Sequence, residues 1–94
     1  MKFHLGSLVG MKGVADLMES NQLFSDFVAA SLKRYIECDW GDLCKEDRKL
    51  SDNAVKHGDR IMGSYPHPAC EEWKVWIITE WDRSVTTVLF PREY

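Results

Sequence analysis

Ten residues near the C-terminus, ITEWDRSVTT from Ile78 to Thr87, gather a glutamate, an aspartate, an arginine and several hydroxyls between two strand-like runs. Glu80 and Asp82 could act as an acid–base pair, and Arg83 could anchor an anionic ligand through its N–H groups. The same residues also suit a tight turn. A turn aspartate bonds backbone N–H groups two residues on. An exposed Arg–carboxylate pair contributes only about 0–1 kcal/mol, and facing threonines fit a sheet. Nothing in the spacing selects a reaction. Trp81 beside the turn suits an exposed anchor, because tryptophan is enriched at interface hot spots. Glu80, Trp81, Asp82 and Arg83 are thus predicted to form a contact surface, with no catalytic residue among them.

A second group is Asp39-Trp40-Gly41-Asp42. A glycine break with two aspartates is expected to cap the following helix. Trp40 either plugs the gap between helices and sheet or stands out as a binding anchor, and Asp39 joins the candidate binding residues. A competing reading makes Asp39, Glu80, Asp82 and Arg83 the polar site of a small enzyme or ligand-binding domain.

Metal ligation would need other spacing. Cys38 and Cys44, or His67 and Cys70 in HPAC, lack the paired C-x₂₋₄-C or H-x₃₋₅-H pattern of structural zinc sites. A nucleophile elbow, a phosphate-cradling loop and a dinucleotide fingerprint are also missing from the sequence. No metal and no cofactor is expected.

The elements that must position these residues follow from pattern. The chain has 94 residues, enough for one domain, 1–94, with 45% hydrophobic and 29% charged residues. Four Trp, four Phe and three Tyr supply the large side chains that a small core needs. The net charge of −3 disfavours non-specific nucleic-acid binding and leaves a protein partner as the expectation. Three cysteines, an odd number without a CxxC, fit free thiols in a reducing cytoplasm. The N-terminus is too interrupted for a signal peptide, and no apolar run reaches the length of a membrane span.

FHLGSLVGMKG predicts a short extended piece and a turn. VADLMES predicts a short helix, with Val14, Leu17 and Met18 on one side, ending near Asn21. From Gln22, the residues Phe24, Phe27, Val28, Leu32, Tyr35 and Ile36 mark the strongest helix, capped by Asn21. CKEDRKLSDNAVKHG predicts a surface helix with a stripe of Leu43, Leu50, Ala54 and Val55, stopped by Gly58. The period then changes to two. RIMGSY, WKVWIIT and VTTVLF predict three strands. A two-residue loop at Asp82 and Arg83 would set Thr79 against Thr86 and Ile77 against Val88. The expected fold is α+β, with N-terminal helices packed on a C-terminal three-stranded antiparallel β-meander. One sheet face is left for the helices, the other for a partner or the N-terminal segment.

DWGDL and WIITE-x-DRS-x-TT-x-L-x-P-x-x-Y, together with LGSLVGMKGV and SYPHP, resemble a family of small bacterial proteins of Firmicutes and their mobile elements. Members are labelled plasmid-related or type I restriction subunit-like. The resemblance covers nearly the whole chain. Trp81 stands where the family more often has a small residue, and Tyr35 where relatives carry His. The resemblance implies a compact intracellular accessory protein of a bacterial mobile element or phage. Small proteins in that context often inhibit host defence, so an anti-restriction or anti-CRISPR inhibitor or regulator is the expectation, by association with that context. The resemblance implies no reaction, and 94 residues cannot hold a methyltransferase or nuclease subunit of usual domain size.

Overall fold

The structure, a computed structural model, describes residues 2–94. Strand β1 (Ser7–Gly10) leads through Met11 into α1 (Lys12–Ser20), α2 (Gln22–Ile36) and α3 (Lys45–His57). Strands β2 (Ile61–Tyr65), β3 (Val75–Thr79) and β4 (Val85–Leu89) follow, with short 3₁₀ turns at Glu71–Trp73 and Pro91–Glu93. The fold is α+β, as predicted. The sheet, however, has four strands in the order β1-β4-β3-β2 and is mixed. The antiparallel meander β2-β3-β4 is present, with Thr79 opposite Thr86 and Ile77 opposite Val88. The correction is β1, which lies parallel to β4, with Ser7 opposite Val85. Three glycines in that segment weaken a strand read locally. Its ladder exists only because β4 offers a free border to it.

Alternation sends Ile61, Tyr65, Val75, Ile77, Thr79, Thr86 and Val88 to one face, where they are buried under the helices. Helix α2 supplies Phe24, Val28 and Tyr35 to this core. Asn21 caps it as expected, its side-chain oxygen accepting the Phe24 N–H at 3.1 Å. Phe24 packs on Trp73 and Phe90 at 5.4 and 5.5 Å between ring centres, and Phe3, Tyr35 and Trp40 form a second aromatic group.

One helix end is completed from elsewhere in the chain. Met11 gives α1 no side-chain cap. Instead Glu93, 80 positions away, accepts the Gly13 N–H at 2.7 Å with one carboxylate oxygen and the Phe90 N–H at 2.9 Å with the other. Such a carboxylate satisfies an orphan donor and meets the positive end of the helix. Helix α3 starts after Cys44 with no side-chain cap, because Asp39 and Asp42 bond Arg34 and Lys74 instead, and it ends as predicted on Gly58, at φ 75°. Its buried stripe departs from expectation at one position: Leu43 and Val55 pack against the core and Ala54 is buried, as expected. Leu50 is 67% exposed, while Ser51 faces the sheet. The Ser51 hydroxyl donates to Met62 O at 2.7 Å and accepts from Met62 N–H, so the helix is keyed to the border of β2 by a polar residue.

Among the described residues the N-terminal segment turns Phe3 and Leu5 into the helix-side core and does not cover the second sheet face. Part of that face is covered by the C-terminal turn, where Tyr94 stacks edge-on against Trp76 and Arg60 lies over the Tyr94 ring while donating to its hydroxyl at 2.7 Å. Beneath them Ile78 and Leu89 are buried.

Candidate contact surface at the hairpin tip

The β3–β4 connection is longer than a two-residue loop. Regular pairing ends at Thr79 and Thr86, Glu80 N–H donates to Val85 O at 3.0 Å, and Arg83 N–H closes a turn onto Glu80 O at 2.9 Å. Arg83 itself sits in the left-handed region at φ 61°. A non-glycine residue there costs roughly 1–2 kcal/mol, so its side chain must return something.

It does so through α3. The Arg83 guanidinium donates to Asp59 O at 2.6 Å and to Ala54 O at 2.8 Å, and also reaches Glu80 O and Trp81 O. Ala54 O already accepts the Gly58 N–H, and a cation there also meets the negative end of the helix. Arg83 therefore locks the hairpin tip to the last turn of α3. It does not pair with the Glu80 carboxylate. Replacing Arg83 by Ala is expected to cost about 1.5–3 kcal/mol, the range for bonds to a charged group. Arg83→Gly should cost about 1 kcal/mol less, because glycine relieves the left-handed strain. Chemical denaturation of the two variants checks the order; equal stability of the Gly variant and the wild type would remove the locking role.

Asp82 stabilises the turn locally. Its carboxylate accepts the Ser84 hydroxyl at 2.6 Å and the Ser84 N–H at 3.0 Å, and these two bonds hold it below the usual carboxylate range. Glu80 is half-buried on the second sheet face, beside Arg60, Ile78 and Tyr94. Trp81 is left over. It is 67% exposed on a tip whose arginine and aspartate are both engaged in structural bonds.

The Asp39–Asp42 group lies elsewhere. Gly41 bridges to Ser64 and the Tyr65 hydroxyl donates to Asp39 O, placing this group at the end of β2 remote from Ile61 and Thr79. Four residues of strand, about 13 Å, separate the two ends. Asp39 is held by Arg34 at 2.8 and 3.2 Å and accepts the Gly41 N–H; the guanidinium keeps its carboxyl below the usual range. Trp40 is a core residue, 3% exposed, with its indole N–H donating to Asp52 at 2.8 Å. Glu80, Trp81, Asp82 and Arg83 thus come together, and Asp39 and Trp40 are not brought to them.

The remaining titratable groups do not converge. Among the described residues no group of three His, Cys, Asp or Glu is placed to hold a metal ion. His67 lies between Phe27 and Trp73, 4.9 Å from each ring, and accepts the Ala69 N–H. Cys38, Cys44 and Cys70 are unbridged, and burial pushes the Cys38 thiol up. Among the described residues no helix is long and apolar enough to cross a membrane.

A buried polar chain runs behind the tip. Thr86 donates to Leu5 O at 2.7 Å, so Thr79, 2.7 Å away, must donate to Thr86, and the Tyr35 hydroxyl in turn donates to Thr79 at 2.7 Å. Each hydroxyl has a single proton, which fixes this direction. The chain ties the N-terminal segment, α2 and the hairpin together, and no solvent-facing group enters it. Sequence reasoning saw two threonines facing one another; Tyr35 and Leu5 join them only through the tertiary fold. Also unread in the sequence were Leu8, Val9 and Met11 as exposed edge residues, although SLVGM is an uncharged run.

Compared with known proteins, the chain matches no family model, no curated protein and no solved structure.

Proposed function

We propose that this chain is a small, non-enzymatic protein-binding protein, an accessory of a bacterial mobile element or phage that inhibits or regulates host defence. The motif resemblance supplies the biological setting. What supports binding is Trp81, exposed on a tip that Arg83 and Asp82 hold rigid. A rigid aromatic loses little conformational freedom on association, and such residues dominate interface energies. Glu80, Asp82 and Arg83 serve the tip rather than a reaction. An enzymatic reading would need polar groups converging in a cleft, whereas Arg83 turns its donors inward to main-chain carbonyls.

The test is affinity for a protein captured from a bacterial lysate by the wild-type chain. Trp81→Ala should weaken that binding at least about 30-fold, the equivalent of a 2 kcal/mol hot spot, with thermal stability unchanged. Leu23→Ala, at an exposed apolar position on α2, is the control and should bind as wild type. Equal affinity of the Trp81 variant and the wild type would refute the anchor. Loss of a biological activity in Asp82→Ala, with binding and stability intact, would favour chemistry instead.

A further inference from the structure

The two borders of the sheet differ. At β2, Ser64 N–H donates to Trp40 O at 3.0 Å and Asp42 N–H donates to Ser64 O at 2.9 Å, so the Trp40–Asp42 segment closes that border. At β1, Ser7 N–H donates to Ser84 O at 3.0 Å and Met11 N–H to Val88 O at 2.9 Å. Odd-numbered positions therefore face β4, and alternation turns the N–H and C=O groups of Leu8 and Gly10 outward. No described residue bonds to them. Ser7–Gly10 carries no charge, proline or bulge, the devices that usually protect a border. Leu8 and Val9 are 53% and 42% exposed.

We propose that this border binds β1 of a second copy of the chain, antiparallel, about a two-fold axis at Val9. The register follows from the free groups. Leu8 of one copy faces Gly10 of the other, each such pair exchanges two hydrogen bonds, and all the outward groups of both copies are satisfied. A one-residue slip sets Leu8 against Val9, whose N–H and C=O already face β4, and leaves the outward groups unmet. A two-residue slip sets Gly10 against Gly6, which is left-handed at φ 66°, or Leu8 against Lys12, which is already in α1.

Side chains point to the same occupant. Among the described residues nothing demands glycine at position 10: its φ is not positive, and an added Cβ would meet only Ala15, at an ordinary 3.7 Å. Beside Gly10 runs an apolar groove of about 200 Å³ lined by Met18, Val28, Leu32 and Val88, with the chain's own Leu8 at one side. Leu8 is on the helix-bearing face, since it is paired with Thr86. In the dimer, Leu8 of the second copy crosses Gly10 and enters this groove, and the reverse contact is identical. The closed border at β2 stops growth at two copies, giving one eight-stranded sheet rather than a filament.

Sedimentation and amide exchange on the wild-type protein test this. The expected mass is twice that of the chain. The Leu8 and Gly10 amides should be protected in the dimer and released on dilution, while the Val9 amide, facing β4, stays protected in both states. Val9→Asp sets two carboxylates opposite one another at the axis and should yield a monomer with an unchanged circular dichroism spectrum. A wild-type mass of one chain at about 1 mM would overturn the proposal, since it implies affinity weaker than any stable pair. A dimer whose Leu8 and Gly10 amides exchange freely would overturn it too, and that measurement decides the matter if the Asp variant fails to fold. Trp81→Ala should leave the dimer mass unchanged, so the edge and the tip can fail separately.

Discussion

Replacing Ile77 by Ala should remove about 2–5 kcal/mol of stability, the range for emptying a fully buried branched side chain. Ile77 is at the middle of the central strand β3, with Gly63 on one side and Val88 on the other, and is wholly inaccessible to solvent. The Tyr65 ring lies over Gly63 and is held by its hydroxyl bond to Asp39 O, so the cavity should collapse poorly. For 94 residues at roughly 0.05–0.15 kcal/mol each, total stability is on the order of 5–14 kcal/mol. The substitution should therefore take a large share of it. A denaturant titration measures this as a lower midpoint with an unchanged slope. Leu50→Ala, at an exposed apolar position on α3, should stay within about 0.5 kcal/mol of wild type. A loss at Ile77 no larger than that of Leu50 would contradict the central place given to β3.

Alkaline solution should unfold the protein steeply. Burial raises the ionisation of both Tyr35 and Tyr65 above the ordinary tyrosine value. Their hydroxyls are also committed as donors, Tyr35 to Thr79 and Tyr65 to Asp39 O at 2.8 Å, and a phenolate could make neither bond. The folded chain thus holds these protons more tightly than the unfolded chain. Their stabilising contribution is complete below about pH 10, where unfolded tyrosine titrates, and declines as pH rises towards the folded values. With two such groups the slope above pH 10 approaches about 2.7 kcal/mol per pH unit. Denaturant melts at increasing pH read this directly. Tyr35→Phe and Tyr65→Phe should each flatten the decline, and tyrosinate absorbance from these residues should appear together with unfolding. Ionisation of both in a chain that keeps its native circular dichroism would sink the prediction.

The legible features share a short range. Asn21 and Gly58 were readable because a cap acts on the adjoining turn. Thr79 opposite Thr86 was readable because any near-symmetrical short connection gives that register, even though the loop runs over Trp81–Ser84 and not just Asp82 and Arg83. The cluster Glu80–Arg83 was visible for the same reason, since its members are consecutive. The expected stripe was legible except at Leu50: Ala54 is buried, and Leu43 and Val55 pack against the core, as periodicity requires. Leu50 and Ser51 are neighbours on the helix, however, and only the docking angle against β2 decides which one turns inward.

What the sequence determined alone is thus the three helices, the caps at Asn21 and Gly58 and the meander, all governed by contacts within a turn or across one hairpin. The tertiary structure decided the rest. It placed β1 beside β4, because a parallel strand has no adjoining loop to announce its partner. It gave Arg83 the carbonyls of Ala54 and Asp59, gave α1 its cap from Glu93, and joined Tyr35, Thr79, Thr86 and Leu5 in one buried chain. These partners lie between 7 and 81 positions apart. A buried donor or acceptor takes whichever group the packed core brings within about 3 Å, and local pattern carries no record of that choice.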